Sequence, residues 1–182
     1  MININTDRLV IRNFLINDWK ALLEIVIDKE ESEYAMYDYQ FPTSEHEVKG
    51  IAEWFSKGNS FLAVQLLTNR KVIGYISLNG ENDFERDFGY CFNSRYHGQG
   101  YATELCSAVI NYAFNVLKIS KITSGTATIN LPSCRLLNRL GFVKIGESIT
   151  SFRKTLEGTP IEFMGSLYLL EKDNWNKDKT NM

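Results

Sequence analysis

Apolar residues recur along the chain at two spacings, and the switches between them mark its elements. Residues 6–14 (Thr-Asp-Arg-Leu-Val-Ile-Arg-Asn-Phe) alternate, with Leu9 and Ile11 on one side and Arg8, Val10 and Arg12 on the other. That pattern predicts a strand. Asn17 or Asp18 is placed to cap a helix through Trp19, Leu22, Leu23, Val26 and Ile27. Residues 28–43 carry no clear period and read as a loop or frayed helix. Ser44 and Glu47 have capping-box spacing, opening a helix that ends near Gly58 with Val48, Ile51, Ala52 and Phe55 inward. Two β-rich runs, 61–67 and 71–78, separated by Thr68-Asn69-Arg70, predict a hairpin. Residues 83–93 alternate again, Phe84, Phe88, Tyr90 and Phe92 against Glu85, Asp87, Gly89 and Cys91. From Tyr101 to Leu117 the spacing turns helical, with Leu105, Val109, Tyr112 and Val116 in one stripe. Residues 119–128 read as a strand, 133–140 as a short helix closed by Gly141, and 142–152 and 161–170 as two final strands. The order β-α-α-β-β-β-α-β-α-β-β predicts an α/β (α+β) fold, a mixed sheet with helices on its faces.

Composition narrows the class. A chain of 182 residues that is 44% hydrophobic and 23% charged fits one domain with a buried core. With three prolines, no linker-like stretch and no repeat, a single domain over 1–182 is expected. Its motif-bearing core spans about 6–170, and a tail over 171–182 is expected to be flexible. Net charge is -2, which argues against a nucleic-acid partner. Three cysteines (Cys91, Cys106, Cys134) and two histidines (His46, His97) are too few and too scattered for a disulfide framework or a metal site. The N-terminus lacks a basic region followed by an apolar run, and no stretch of ~18 apolar residues exists. A cytoplasmic protein with no membrane partner is expected, a monomer or homodimer.

The segment Arg95-Tyr96-His97-Gly98-Gln99-Gly100-Tyr101-Ala102-Thr103-Glu104 joins a predicted strand to a strongly amphipathic helix. Glycines at the turn let backbone approach a ligand closely. The first helical turn presents free N–H groups, and the macrodipole adds positive potential. Such a turn suits a phosphate or diphosphate, though the same residues also make an ordinary strand-to-helix turn. A Walker A loop would need Lys and Ser/Thr after Gly100, and the dinucleotide fingerprint a small residue where Thr103 stands. Both nucleotide readings fail.

Arg95-x-x-Gly98-x-Gly100 followed by Tyr101-Ala102 resembles the acetyl-CoA loop of the GNAT N-acetyltransferases. Thr6-Asp7-Arg8-Leu9-Val10-Ile11-Arg12, with Asp18 following, resembles the opening of the Rim-type (ribosomal-protein acetyltransferase) branch. Phe88-Gly89-Tyr90, Asn130-Leu131-Pro132-Ser133 and Leu140-Gly141-Phe142 resemble later blocks of that branch, in order. The resemblance implies a GNAT fold, a mostly antiparallel sheet whose central parallel pair splays around acetyl-CoA. Here that pair would be 87–93 and 119–128. Backbone groups near Phe92 and Asn93 would pair with the pantetheine arm, and an N–H near Phe92 would steady the oxyanion. The loop Arg95, His97, Gly98, Gln99 and Gly100, with the amides of Tyr101, Ala102 and Thr103, would hold the diphosphate. Asn130 would stand on the pantetheine side. Lys118, Lys121, Arg135, Arg139 and Lys144 are available for the outer 3′-phosphate, or are simply solvated.

The resemblance implies an acetyl-CoA-dependent N-acetyltransferase acting on a primary amine, a protein N-terminus or a small molecule such as a polyamine, drug or amino-acid derivative. A CoA-binding module without turnover is the remaining alternative. At pH 7, deprotonating an α-amine costs roughly 1 kcal/mol and a lysine amine ~4.6 kcal/mol, so the acceptor decides how good a base is needed. Ser133 matches the family serine near the CoA sulfur and would protonate the leaving thiol; it could equally cap its helix. Glu85 and Asp87 share a strand face before the loop and are the candidate bases, or a solvated edge. The Rim-type branch has a Glu base after its Leu-Gly-Phe block, but the corresponding count from Ser133 lands on Phe152. Tyr168, in an apolar strand, reads as core, and Cys91, Cys106 and Cys134 as buried filler. Tyr34, Tyr37, Tyr39 and Met36, after the first helix, would wall the acceptor pocket.

Overall fold

The β-branched and aromatic runs form one eight-stranded sheet in a computed structural model that describes residues 2–80, 82 and 84–175. The strands are β1 (Asn3–Asn5), β2 (Leu9–Asn13), β3 (Phe61–Leu66), β4 (Val72–Asn79), β5 (Glu85–Phe92), β6 (Lys121–Ala127), β7 (Val143–Thr150) and β8 (Phe163–Glu171). The helices are α1 (Trp19–Glu30), α2 (Glu45–Ser56), α3 (Tyr101–Asn115) and α4 (Leu131–Arg139). Sheet order is β1-β2-β3-β4-β5-β6-β8-β7. Every neighbouring pair is antiparallel except β5 and β6. The predicted element order is found, with short β1 added ahead of it. Residue 83, which opened the predicted strand over 83–93, lies outside the described residues, as does 176–182 of the predicted tail.

Alternation in the strands sorts side chains between two cores. Leu62, Val64, Ile76, Leu78 and Phe88 face α3 and α4, where Leu105, Val109, Ile110 and Leu137 pack on them. Ala63, Val72 and Tyr75 face α1 and α2, against Leu22, Val26, Ala52 and Phe55. Cys91 packs on this second cluster, and burial pushes its thiol up to about 12.

Several local expectations change. Asp18 does not cap α1 with its side chain; its carboxylate accepts from the Leu15 N–H at 2.8 Å and from both Arg12 Nη atoms at 2.7 and 2.9 Å. A charge-assisted fork outcompetes a neutral cap. Ser44 does cap α2, accepting from the Glu47 N–H. In α3 the buried stripe runs through Leu105, Cys106, Val109, Ile110, Ala113 and Phe114, so Val116 falls beyond the helix and is 61% exposed. Phe84, just before β5, is exposed as well. Of the stretch over 171–182 expected to be flexible, Glu171 closes β8, 172–175 are helical, and Trp175 is buried in the larger core.

Candidate active site

β5 and β6 pair in parallel from Glu85↔Lys121 to Asp87↔Thr123, and the ladder goes no further. Beyond that point β5 stays paired to β4 as far as Gly74↔Phe92, and β6 to β8 as far as Ala127↔Gly165. Each strand keeps its outer neighbour while the two part, which opens a slot in the middle of the sheet. Buried Ser124 closes its narrow end, its hydroxyl donating to the Phe88 carbonyl at 2.8 Å. The Asn93 N–H donates to the Ile73 carbonyl at 3.0 Å, toward β4. By strand alternation the backbone groups of Phe88, Tyr90 and Phe92 therefore point into the slot and that of Asn93 does not. The Phe92 carbonyl there meets His97 Nε2 at 3.0 Å.

At the open end, a 3₁₀ turn (Ser94–Tyr96) leads into Gly98 (φ +72°) and Gly100 (φ +79°), the residue before α3. Both take the left-handed conformation that glycine adopts without a Cβ clash. The turn is fastened at its start, where Ser94 donates its N–H to Asp28 at 2.7 Å and its hydroxyl at 2.5 Å. Arg95 donates its N–H to the Asn93 side chain at 3.2 Å, and Gln99 its Nε2 to the Arg95 carbonyl at 3.2 Å. Among the described residues, no acceptor meets the backbone N–H groups of residues 98–103. Six consecutive amides, the last three in the first turn of α3, are thus left without an acceptor among the described residues, a donor set of the kind that suits a diphosphate.

Ser133 lies in the first turn of α4. Asn130, not Ser133, is its cap, with Oδ1 accepting from the Ser133 N–H at 3.2 Å. The Ser133 hydroxyl instead meets Tyr90 Oη at 2.8 Å, across the slot from β5. Burial raises the Tyr90 phenol well above its ordinary value, the Ser133 contact opposing it, so the phenol stays protonated. The sequence places Tyr90 on a strand face and in the Phe88-Gly89-Tyr90 block but gives it no role; no local pattern links residues 43 positions apart. Tyr168 is buried in the larger core.

Glu85 and Asp87 lie on the other face of β5 from Tyr90, so the sheet separates them from Ser133. Asp87 stands at the last paired position, where the slot begins, and Glu85 two residues deeper in the paired stretch. Burial raises the Asp87 pKa, Glu85 adds to the rise, and a bond from Thr123 opposes it. Of the five candidate basic side chains, Arg139 reaches the turn, donating to Thr103 Oγ1 at 3.2 Å. Lys121 pairs with Glu171 and Lys144 with Glu147 instead.

The loop between α1 and α2 lies against the turn between β7 and β8. Tyr37 packs edge-on to Phe163 at 5.4 Å, and Tyr39 on Phe152 at 4.3 Å. Phe152 is thus part of an aromatic cluster. Met36 and Ala35 line a cavity of about 510 Å³ with Glu33, Arg153, Leu156 and Ile161.

A parallel pair that splays in an otherwise antiparallel sheet, with an unengaged amide turn at its mouth, defines an acetyltransferase domain of the GNAT type. The acetyltransferase (GNAT) domain model matches residues 8–143, and the chain belongs to that family. It is an N-acetyltransferase, and acetyl-CoA is the family's cosubstrate. The uncharacterized N-acetyltransferase YnaD of Bacillus subtilis is 26% identical over 178 residues, covering 96% of this chain and 99% of its own. The fold matches the ribosomal-protein-S5-alanine acetyltransferase of Vibrio fischeri with TM-score 0.78 at 18% identity, over 96% of this chain and 99% of that one. It matches a spermidine N-acetyltransferase SpeG mutant of Vibrio cholerae with TM-score 0.75 at 16% identity, over the same shares. Among the described residues no helix is long and apolar enough to cross a membrane.

Proposed function

We propose that this N-acetyltransferase moves an acetyl group from acetyl-CoA directly to a primary amine, and that the acceptor is a protein N-terminal α-amine. The observation that carries the cosubstrate half is the run of amides over 98–103 without an acceptor at the mouth of the β5–β6 slot. Those amides would hold the diphosphate, with Arg139 beside them. The slot edge at Tyr90 and Phe92 would take the pantetheine arm, with His97 leaving the Phe92 carbonyl. When bound, the thioester supplies an acyl carbon activated toward amines.

The chain's own groups then divide the proton work between the two faces of β5. Asp87, its pKa raised, takes the proton that the amine gives up as the N–C bond forms. Ser133 gives its hydroxyl proton to the departing sulfur as the C–S bond breaks and regains one from solvent, as Asp87 releases its own there, while Tyr90 Oη at 2.8 Å keeps the serine hydroxyl in place. An α-amine suits a single carboxylate because its proton costs only roughly 1 kcal/mol to remove at pH 7. A polyamine acceptor is the second reading; Glu33 in the cavity beside Met36 and Leu156 would receive one of its ammonium groups, against Arg153 and Lys154 in the same lining.

An acceptor panel with thiol detection tests both readings. It spans peptides with different first residues, spermidine and amine drugs. Thiol release with peptides, rising with pH toward the α-amine pKa, is expected. Turnover confined to polyamines would give the second reading the acceptor, and no acetyl-CoA binding by the folded chain would remove both.

A further inference from the structure

Glu104 places a carboxylate in the first turn of α3, close behind the amides that the proposed diphosphate needs. Left unpaired, it would compete with an anionic ligand for the positive end of the helix. The turn between β1 and β2 prevents this. Thr6 Oγ1 donates to Glu104 Oε1 at 2.6 Å, the Arg8 N–H to the same oxygen at 3.0 Å, and Arg8 Nε to Oε2 at 2.6 Å. The Arg8 guanidinium also donates from Nη1 to the Gln99 carbonyl at 2.9 Å, between the two left-handed glycines. Its Cζ lies 4.4 Å from the centre of the Tyr101 ring, and its Nη2 is 3.4 Å from where a Cβ on Gly100 would stand. Burial alone would raise the Glu104 pKa, but its bonds from Thr6 and Arg8 outweigh that and leave it lowered.

We infer that Arg8 is a positioning residue for the diphosphate turn: one planar fork cancels the Glu104 charge and, by holding the Gln99 carbonyl, turns the Gly100 N–H of the same peptide away from the guanidinium. A peptide whose carbonyl is held beneath the turn must present its N–H above it. Lysine cannot do this, because a single ammonium does not span a carboxylate and a carbonyl in one plane and does not stack on Tyr101. The inference rests on the acetyl-CoA reading of the turn.

Steady-state kinetics of the full chain with acetyl-CoA and with S-acetylpantetheine, which carries the thioester arm without the diphosphate, tests it. Arg8→Met should raise the acetyl-CoA KM about tenfold with kcat at saturation nearly unchanged. Its kcat/KM for S-acetylpantetheine should match the parent's, and Arg8→Lys should not restore the acetyl-CoA KM. Should Arg8→Met fail to fold, Arg8→Gln, which keeps a shorter planar donor and removes the charge, should show the same KM split. An unchanged acetyl-CoA KM, or equal losses on both thioesters, would overturn the positioning role alone. A parent chain that does not bind acetyl-CoA would overturn the cosubstrate reading with it.

Discussion

Gly98 has open space where a Cβ would go, yet its φ of +72° belongs to the left-handed region. Any L side chain there pays about 1–2 kcal/mol of backbone strain, most for a β-branched one. Relaxing to negative φ rotates the neighbouring peptides and turns their N–H groups aside. Gly98→Val should therefore weaken acetyl-CoA at least about tenfold while the fold survives, read by calorimetric titration beside a thermal melt. Unchanged affinity would make the segment an ordinary turn. Tyr90 allows a separate test of turnover. Tyr90→Phe removes the partner of the Ser133 hydroxyl without altering the slot edge, whose groups are backbone. Turnover should drop about tenfold or more with the acetyl-CoA constant unchanged, and Ser133→Ala should cost at least as much. A loss of stability with no loss of kcat would make the pair mere packing.

At the scale of elements, α4 shows what a cap does for a site. The Asn130 side chain accepts from the Ser133 N–H, so it both starts the helix and fixes the residue that faces Tyr90. Asn130→Ala should cost about 1 kcal/mol in urea denaturation, and Asn130→Ser, which keeps a capping oxygen, clearly less; equal costs would deny Asn130 the capping role. Both residues were visible in the sequence as a motif, but not which one caps, because Asn and Ser are equally good caps. The elements with periodic faces were legible: the β3–β4 hairpin, the Ser44 cap of α2, and the alternation of β5 with Asp87 opposite Phe88. What depends on tertiary context was not. A three-residue strand such as β1 has no period to read, and the Arg12 fork that takes Asp18 away from α1 comes from the neighbouring strand. The Tyr90–Ser133 and Arg8–Glu104 pairs join positions that only the closed sheet brings together.

Across the whole molecule, the last turn of α1 ties together segments far apart in the chain. Arg153, from the turn between β7 and β8, grips both Glu30 oxygens at 2.8 and 2.9 Å and donates to the Asp38 carbonyl at 2.7 Å. Lys29 pairs with Asp38 at 3.2 Å, and the Phe41 N–H donates to Glu30 at 3.0 Å. One residue earlier, Asp28 holds Ser94 at the start of the amide turn. Consecutive side chains of one helix thus brace the amide turn and both loops of the opposite wall. Burial alone would raise the Glu30 pKa, but Arg153, the Phe41 N–H and Lys29 outweigh it and leave it lowered from 4.5. A carboxyl whose pKa falls on folding contributes stability above its unfolded value and loses it as pH drops through the folded one. Glu30→Gln should then cost about 2 kcal/mol at pH 7, or a melting point lower by about 4–8 °C, and the gap to the parent should narrow below pH 4. Urea titrations of both chains at pH 7 and pH 3.5 read it. An equal gap at the two pH values would mean that the loss comes from the Gln amide opposing the Arg153 and Phe41 donors, and that the Glu30 charge does not hold these loops together.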